Sequence, residues 1–184
     1  KGHLMKFKVT PQSIPDVLLI EPVVYADDRG YFKESYNLKH FEEFLPGIKF
    51  VQDNESRSTR GVLRGLHFQK APHAQAKLVR AILGSIWDVA VDIRPESPTF
   101  KHYCFIELSA DNHFQFFVPR GFAHAFLVTS DIAIVQYKTD NFYNPLSDAG
   151  IHPHDPELKI PWPLSIDEQL LSQKDSDLPN FLDL

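Results

Sequence analysis

One cysteine, one methionine and eight glycines stand among 184 residues, and the scarcities exclude several kinds of protein. A single cysteine, Cys104, allows no internal disulfide framework and suits a reducing compartment. Its setting, "YCFIEL", reads as a buried thiol packed as a small apolar group rather than a nucleophile. No apolar run reaches the roughly 18–20 residues that span a bilayer, so no membrane partner is expected. The opening "KGHLMKFKV" has no signal-peptide core; residues 1–4 read as an expression scar and 5–184 as one cytoplasmic domain. A basic excess is missing too: the formal charge of −5 argues against a nucleic-acid partner. There is no glycine-rich phosphate loop or dinucleotide fingerprint, which removes P-loop and Rossmann enzymes. Internal repeats and low-complexity tracts are also lacking.

What remains is strand-like. "KLVRAIL" is followed by Gly84-Ser85 and then "IWDVAVDI", where Trp87, Val89, Val91 and Ile93 alternate with Asp88, Ala90 and Asp92. "HYCFIEL", "HFQFFVP", "AFLVTS" and "IAIVQYK" follow at about ten-residue spacing, as in a sandwich or barrel. Helices do not intervene, so the sheets are expected to be antiparallel. The exceptions are "NLKHFEEFLPG", capped by Asn37 and stopped by Pro46-Gly47, and "DEQLLSQKD" near the end. The expectation is an all-β domain with a few short helices.

Three residues carry the chemistry. In "LRGLHFQ", alternation sets His67 and Gln69 on one face, Leu66 and Phe68 on the other. If the apolar pair faces the layer between the sheets, His67 points into a barrel mouth. Gly65 marks a bulge that would bring Arg64 to the same side. A lone strand histidine is ordinarily a satisfied structural residue, but Lys77 and Tyr137 alter that reading. Lys77 shares a face with Val79 and Ala81, where an unpaired lysine is costly. Tyr137 shares one with Ala133 and Val135 and so points inward. Base, cation and phenol in one cavity suit carbon-acid chemistry: one removes a proton beside a carbonyl, one steadies the enolate oxygen, one returns a proton.

In "VPRGFAHAF", Pro119 and Gly121 make a turn that presents His124 at a strand start, similar to the second half-motif of cupins. The earlier half-motif of a metal-binding cupin needs a His-x-His pair and a glutamate. Here His67 and His73 stand six residues apart without one, so no metal and no cofactor are expected. The clusters "DDRGYFKES" and "VQDNES" read as polar loops, either plain surface or cavity rims. Arg29 and Arg64 are suited to clamping phosphates.

The ordered set "DRGYFKESYN", "QDNESRS", "GVLRGLHFQ", "PHAQAKLVR", "VPRGFAHAF", "YKTDNFYNP", "IPWP" and "LSQKD" closely resembles the dTDP-4-dehydrorhamnose 3,5-epimerase family. The resemblance implies a metal-free cupin-type jelly roll (double-stranded β-helix) that epimerises C3 and C5 of a dTDP-4-keto-6-deoxyhexose in deoxysugar and cell-surface polysaccharide synthesis. It implies His67 as proton acceptor, Tyr137 as donor, Asp175 as the carboxylate behind His67, and Lys77 beside the enolate. It matches Arg29, Glu34, Gln52, Asp53, Asn54, Arg64, His124 and Lys174 to substrate-binding positions. It implies a homodimer that exchanges an N-terminal strand, with part of each pocket from the other chain. Departures are Asp148-Ala149 where the family carries Glu-Arg (Asp148 being assigned to the substrate), "HPHDP", Ala125 for glycine, and Gln136. The competing readings are a one-carbon epimerase or 3,4-ketoisomerase, a metal-dependent cupin oxygenase, and a sugar-nucleotide-binding cupin without activity.

Overall fold

Alternating apolar residues need two layers to bury both faces of a strand, and the chain supplies three. The computed structural model describes residues 6–183, so the segment 1–4 lies outside the described residues. Six strands form one sheet in the spatial order β1 (Phe7–Pro11), β2 (Leu18–Pro22), β10 (Gln115–Val118), β7 (Lys77–Leu83), β12 (Ile132–Thr139) and β5 (Gln52–Thr59). Five form the other: β13 (Asp148–Gly150), β6 (Leu63–Gln69), β11 (Phe122–Val128), β8 (Ser85–Asp92) and β9 (Tyr103–Ser109). A separate hairpin joins β3 (Val24–Asp27) to β4 (Gly30–Lys33). The ladders within both sheets are antiparallel, giving the expected jelly roll. No helix among the described residues is long and apolar enough to cross a membrane.

Between the sheets, Val79, Phe116 and Val135 meet Ile86, Ala90 and Phe126. Phe116 alone, fully buried, contributes about 1.5–3 kcal/mol relative to exposure. The outer face of the five-stranded sheet carries Leu66, Val89 and Ala125 beneath Ile151, Leu158 and Ile160 of the proline-rich tail. The outer face of the six-stranded sheet carries Ile20, Leu78 and Phe117 beneath Phe41 and Leu45. Strands covered on both faces lose polar alternation, and so β11 is buried throughout.

Three expectations are corrected. "NLKHFEEFLPG" yields only one helical turn, α1 (Leu38–Phe41), with the Asn37 side chain accepting from the Lys39 amide at 3.0 Å. Phe41 is buried but Leu38 stays exposed, so no long apolar stripe sustains the helix. "DEQLLSQKD" is broken: a 3₁₀ turn at Ile166–Glu168, an extended step, then α2 (Gln173–Ser176). The break falls at Leu170, whose amide donates to Gly61 O at 2.8 Å and whose carbonyl accepts from Leu63 N at 3.0 Å, so neither can serve a helix. The polar clusters are not loops. "DDRGYFKES" builds the β3–β4 hairpin, and "VQDNES" runs into the eight-residue β5.

Candidate active site

β6, β11 and β8 lie side by side, and their inward positions carry the polar groups. His67 pairs with His124 in the ladder, so both imidazoles face the interior. Leu66 and Phe68 pack outward beneath the tail, not between the sheets, yet the consequence for His67 is the one expected. The β6–β11 register then slips, two residues on β11 spanning three on β6, so Arg64 opposes Phe126 on that same interior side. Gly65 sits at the slip with φ 121°, where an added Cβ would stand 2.5 Å from His124 O. Arg64 Nε donates to Ser58 Oγ at 3.1 Å.

Asp175 reaches His67 from the one-turn helix α2. Ser172 caps that turn by accepting from the Asp175 amide at 3.1 Å, and His67 Nε2 meets Asp175 Oδ1 at 2.5 Å across 108 residues of sequence. Burial alone would raise the Asp175 carboxyl. The bond from His67, helped by the Gly65 amide and Ser172, instead holds it below the usual carboxylate range. An ionised carboxylate only accepts, so Nε2 carries the hydrogen and Nδ1 is left as the basic nitrogen.

Lys77 is buried, at 9% exposure, with Nζ 3.4 Å from His67 O and 5.9 Å from the centre of the Tyr137 ring. Burial pulls its ammonium down to about 8, against the charges of Asp88 and Asp148. Burial pushes the Tyr137 phenol up, while Arg64, Asn54 and Lys174 draw it down. It therefore keeps its proton at neutral pH. His124 Nε2 is hydrogen-bonded to Asp88 Oδ1, and burial lowers the imidazole despite that carboxylate.

Around this centre Gln52 Nε2 donates to Asn54 Oδ1 at 3.0 Å, and Asn54 pairs with Tyr137 in the ladder. Lys174 Nζ donates to Asp148 Oδ2 at 2.5 Å, and Tyr143 Oη reaches the same oxygen at 3.3 Å. Three assigned residues are not brought to His67 within this chain. Asp53 alternates to the outer face of β5, bonded to Lys138 at 2.9 Å. Glu34 meets His40 of α1 at 2.7 Å, on the outer side of the six-stranded sheet. Arg29 is exposed at the hairpin tip, bonded to Asp27.

A family model described as dTDP-4-dehydrorhamnose 3,5-epimerase matches residues 11–183. The dTDP-4-dehydrorhamnose 3,5-epimerase of Pseudomonas aeruginosa is 54% identical over 177 residues, covering 96% of this chain and 97% of the relative. The chain belongs to this epimerase family. A crystal structure of dTDP-4-dehydrorhamnose 3,5-epimerase from Elizabethkingia anophelis superposes with a TM-score of 0.92 at 50% identity, covering 97% of this chain and 98% of the other. The dTDP-6-deoxy-D-glucose-3,5-epimerase of Legionella pneumophila, solved in complex with dTDP-4-keto-L-rhamnose, gives 0.92 at 45% identity, covering 97% and 94%.

The interior brings an imidazole, an ammonium and a phenol together. No group of three or more His, Cys, Asp or Glu among the described residues is arranged to hold a metal ion. His67 and His124 are each bonded to a carboxylate, and His73 is bonded to Ser147 Oγ at 2.9 Å. Sequence reasoning missed Asp88, placed on what looked like the polar face of β8. Because β8 is covered on both faces, the Trp87–Val89–Val91 side belongs to the outer layer and Asp88 faces the interior.

Proposed function

We propose that this protein inverts C3 and C5 of a dTDP-4-keto-6-deoxyhexose, converting dTDP-4-dehydro-6-deoxyglucose to dTDP-4-dehydrorhamnose. The observation that carries the reading is the convergence of a carboxylate-backed His67, a buried Lys77 cation and a protonated Tyr137 on one interior. At each carbon, His67 Nδ1 takes the proton beside the ketone, and the bonding pair moves into the carbonyl to leave an enolate oxygen. The Lys77 ammonium meets that charge. Tyr137 delivers its phenolic proton to the carbon from the opposite face as the carbonyl reforms, and solvent restores both groups. A proton returned to the face it left regenerates the starting sugar, so two groups are required.

The nucleotide reading rests on Arg64, Gln52, Asn54, His124, Asp148 and Lys174 around that centre. Arg29 and Glu34 then serve the pocket of a second protomer in a strand-exchanging homodimer, which accounts for their distance from His67 in their own chain. Incubation with the 4-keto sugar nucleotide in deuterated water tests the reaction. The expected result is deuterium at both C3 and C5, unaffected by chelator. Exchange at one carbon marks a one-carbon epimerase; absence of exchange at either carbon removes the proposal.

A further inference from the structure

Lys174 and Asp175 ride on α2, a helix of a single turn, and so short a helix has no stability of its own. Whatever holds its two ends decides where the Asp175 carboxylate stands. The upstream end is tied to β6 through Leu170, whose amide and carbonyl are bonded to Gly61 and Leu63. The Lys174–Asp148 pair adds little, because its lysine is open to solvent and water screens the charge. The downstream end is held by "HPHDP", the segment where the sequence departs from the family.

Asp155 of that segment is buried at 2% exposure, and both of its carboxylate oxygens accept hydrogen bonds from the backbone. Oδ1 takes the Glu157 amide at 2.8 Å and the Leu158 amide at 3.0 Å, which fixes the residue's own turn. Oδ2 takes the Phe181 amide at 2.7 Å, beyond α2 in the chain. A second tether runs from the His152 amide to Pro179 O at 2.8 Å. Just before these tethers, Leu178 packs on Gly150 of β13, where an added Cβ would stand 2.7 Å from Leu178 Cδ2. Gly150 is the ladder partner of His67, so the chain leaving α2 is seated against the backbone opposite the imidazole. Asparagine could not fill both roles of Asp155. It has one acceptor oxygen, and its NH₂ would face the donor that the oxygen left unserved. A buried carboxylate is costly unless its hydrogen bonds are complete, and the bonds made here tie the tail to one place.

We propose that Asp155 is a positioning residue: by clamping the Phe181 amide it seats Leu178 on Gly150 and so holds Asp175 at bonding distance from His67. Its kinetic consequence rests on the reaction proposed above, but its first readout needs no turnover.

Proton NMR supplies that readout. The protons of the His67–Asp175 and His124–Asp88 hydrogen bonds are both charge-assisted and should resonate downfield of other ring N–H protons. Each is assigned by its loss in His67→Asn or His124→Asn. In Asp155→Asn the His67 proton should move upfield or vanish, while the His124 proton, held between two adjacent strands, stays in place. An unmoved His67 proton overturns the proposal. Movement of both also overturns it, since that marks a general loosening of the fold. In the deuterium-exchange assay Asp155→Asn should lose up to about 10²-fold, the cost of a misplaced group. Because that loss passes through Asp175, adding Asp155→Asn to Asp175→Asn should slow the enzyme no further, and losses that multiply overturn the proposal. A His67 proton that responds as expected in a protein without exchange leaves Asp155 in place and removes the reaction instead. Should Asp155→Asn not fold, Leu178→Ala empties the same seat on Gly150 and must shift the His67 proton alone; any other pattern overturns the proposal.

Discussion

Two carboxylate–imidazole pairs lie side by side in this interior, and they differ in how they are built. His67–Asp175 joins a strand to a turn 108 residues away, and its imidazole keeps 31% of its side-chain surface open. His124–Asp88 joins two adjacent strands of one sheet, with side chains at 7% and 0%. The same two functional groups are therefore suited to different uses. An imidazole with an open nitrogen can exchange protons with a substrate and then with water. An imidazole sealed over a carboxylate is held in one tautomer and keeps a fixed pattern of donor and acceptor.

Matching substitutions in the two imidazoles test that division most severely. His67→Asn removes the proposed base, and losing a positioned general base costs about 10²–10⁴-fold. Deuterium exchange at both carbons should fall by that factor while dTDP binding survives. His124→Asn removes one buried hydrogen bond, and a loss of about tenfold is expected. Equal losses, measured by the same exchange assay, would mean that the two pairs are not functionally distinct.

Tyr137→Phe should have the next largest effect, and it separates two rates that His67→Asn reduces together. The ring and its contact with Lys77 remain, but the proton is gone. The proposed base is untouched, so solvent deuterium should still enter at least one carbon while inverted product falls about 10²-fold. Mass spectrometry of recovered substrate alongside chiral analysis of product measures both. Inversion of both centres at the wild-type rate would assign the donor to another acid or to water.

The contrast between the pairs also explains what the sequence could and could not disclose. Lys77 and Tyr137 were readable because each interrupts an alternation of Val and Ala on a strand whose inner face is otherwise apolar. His67 was readable from the alternation along β6, and Arg64 through Gly65, whose expected bulge is the slipped register. Asp175 follows from no spacing, since a turn brings it home from the far end of the chain; only the family resemblance pointed to it. Asp88 was hidden by the opposite circumstance. β8 is buried on both sides, so alternation does not say which side holds the cavity. β5 was hidden because its inward Asn54, Ser56 and Ser58 are as polar as its outward Asp53 and Glu55, leaving no apolar period.

The smallest effect concerns stability, and it tests the open pair by pH. The folded-state carboxyl of Asp175 lies below its ordinary value: burial would raise it, but the bonds from His67, the Gly65 amide and Ser172 outweigh that. A depressed carboxyl favours the folded state in its ionised form. Its contribution is therefore complete above the unfolded value of about 3.9 and is lost as pH falls through the folded value. Asp175→Asn keeps the shape but cannot ionise, so it lacks this contribution at every pH. A hydrogen bond to a charged group is worth about 1.5–3 kcal/mol. Urea unfolding at pH 7 should thus show wild type more stable than Asp175→Asn by about that amount, and the gap should narrow as pH falls below 4. Were the gap the same at pH 7 and pH 3, the stabilisation would come from the shape of the α2 turn and its Ser172 cap, not from the charge that Asp175 places on His67.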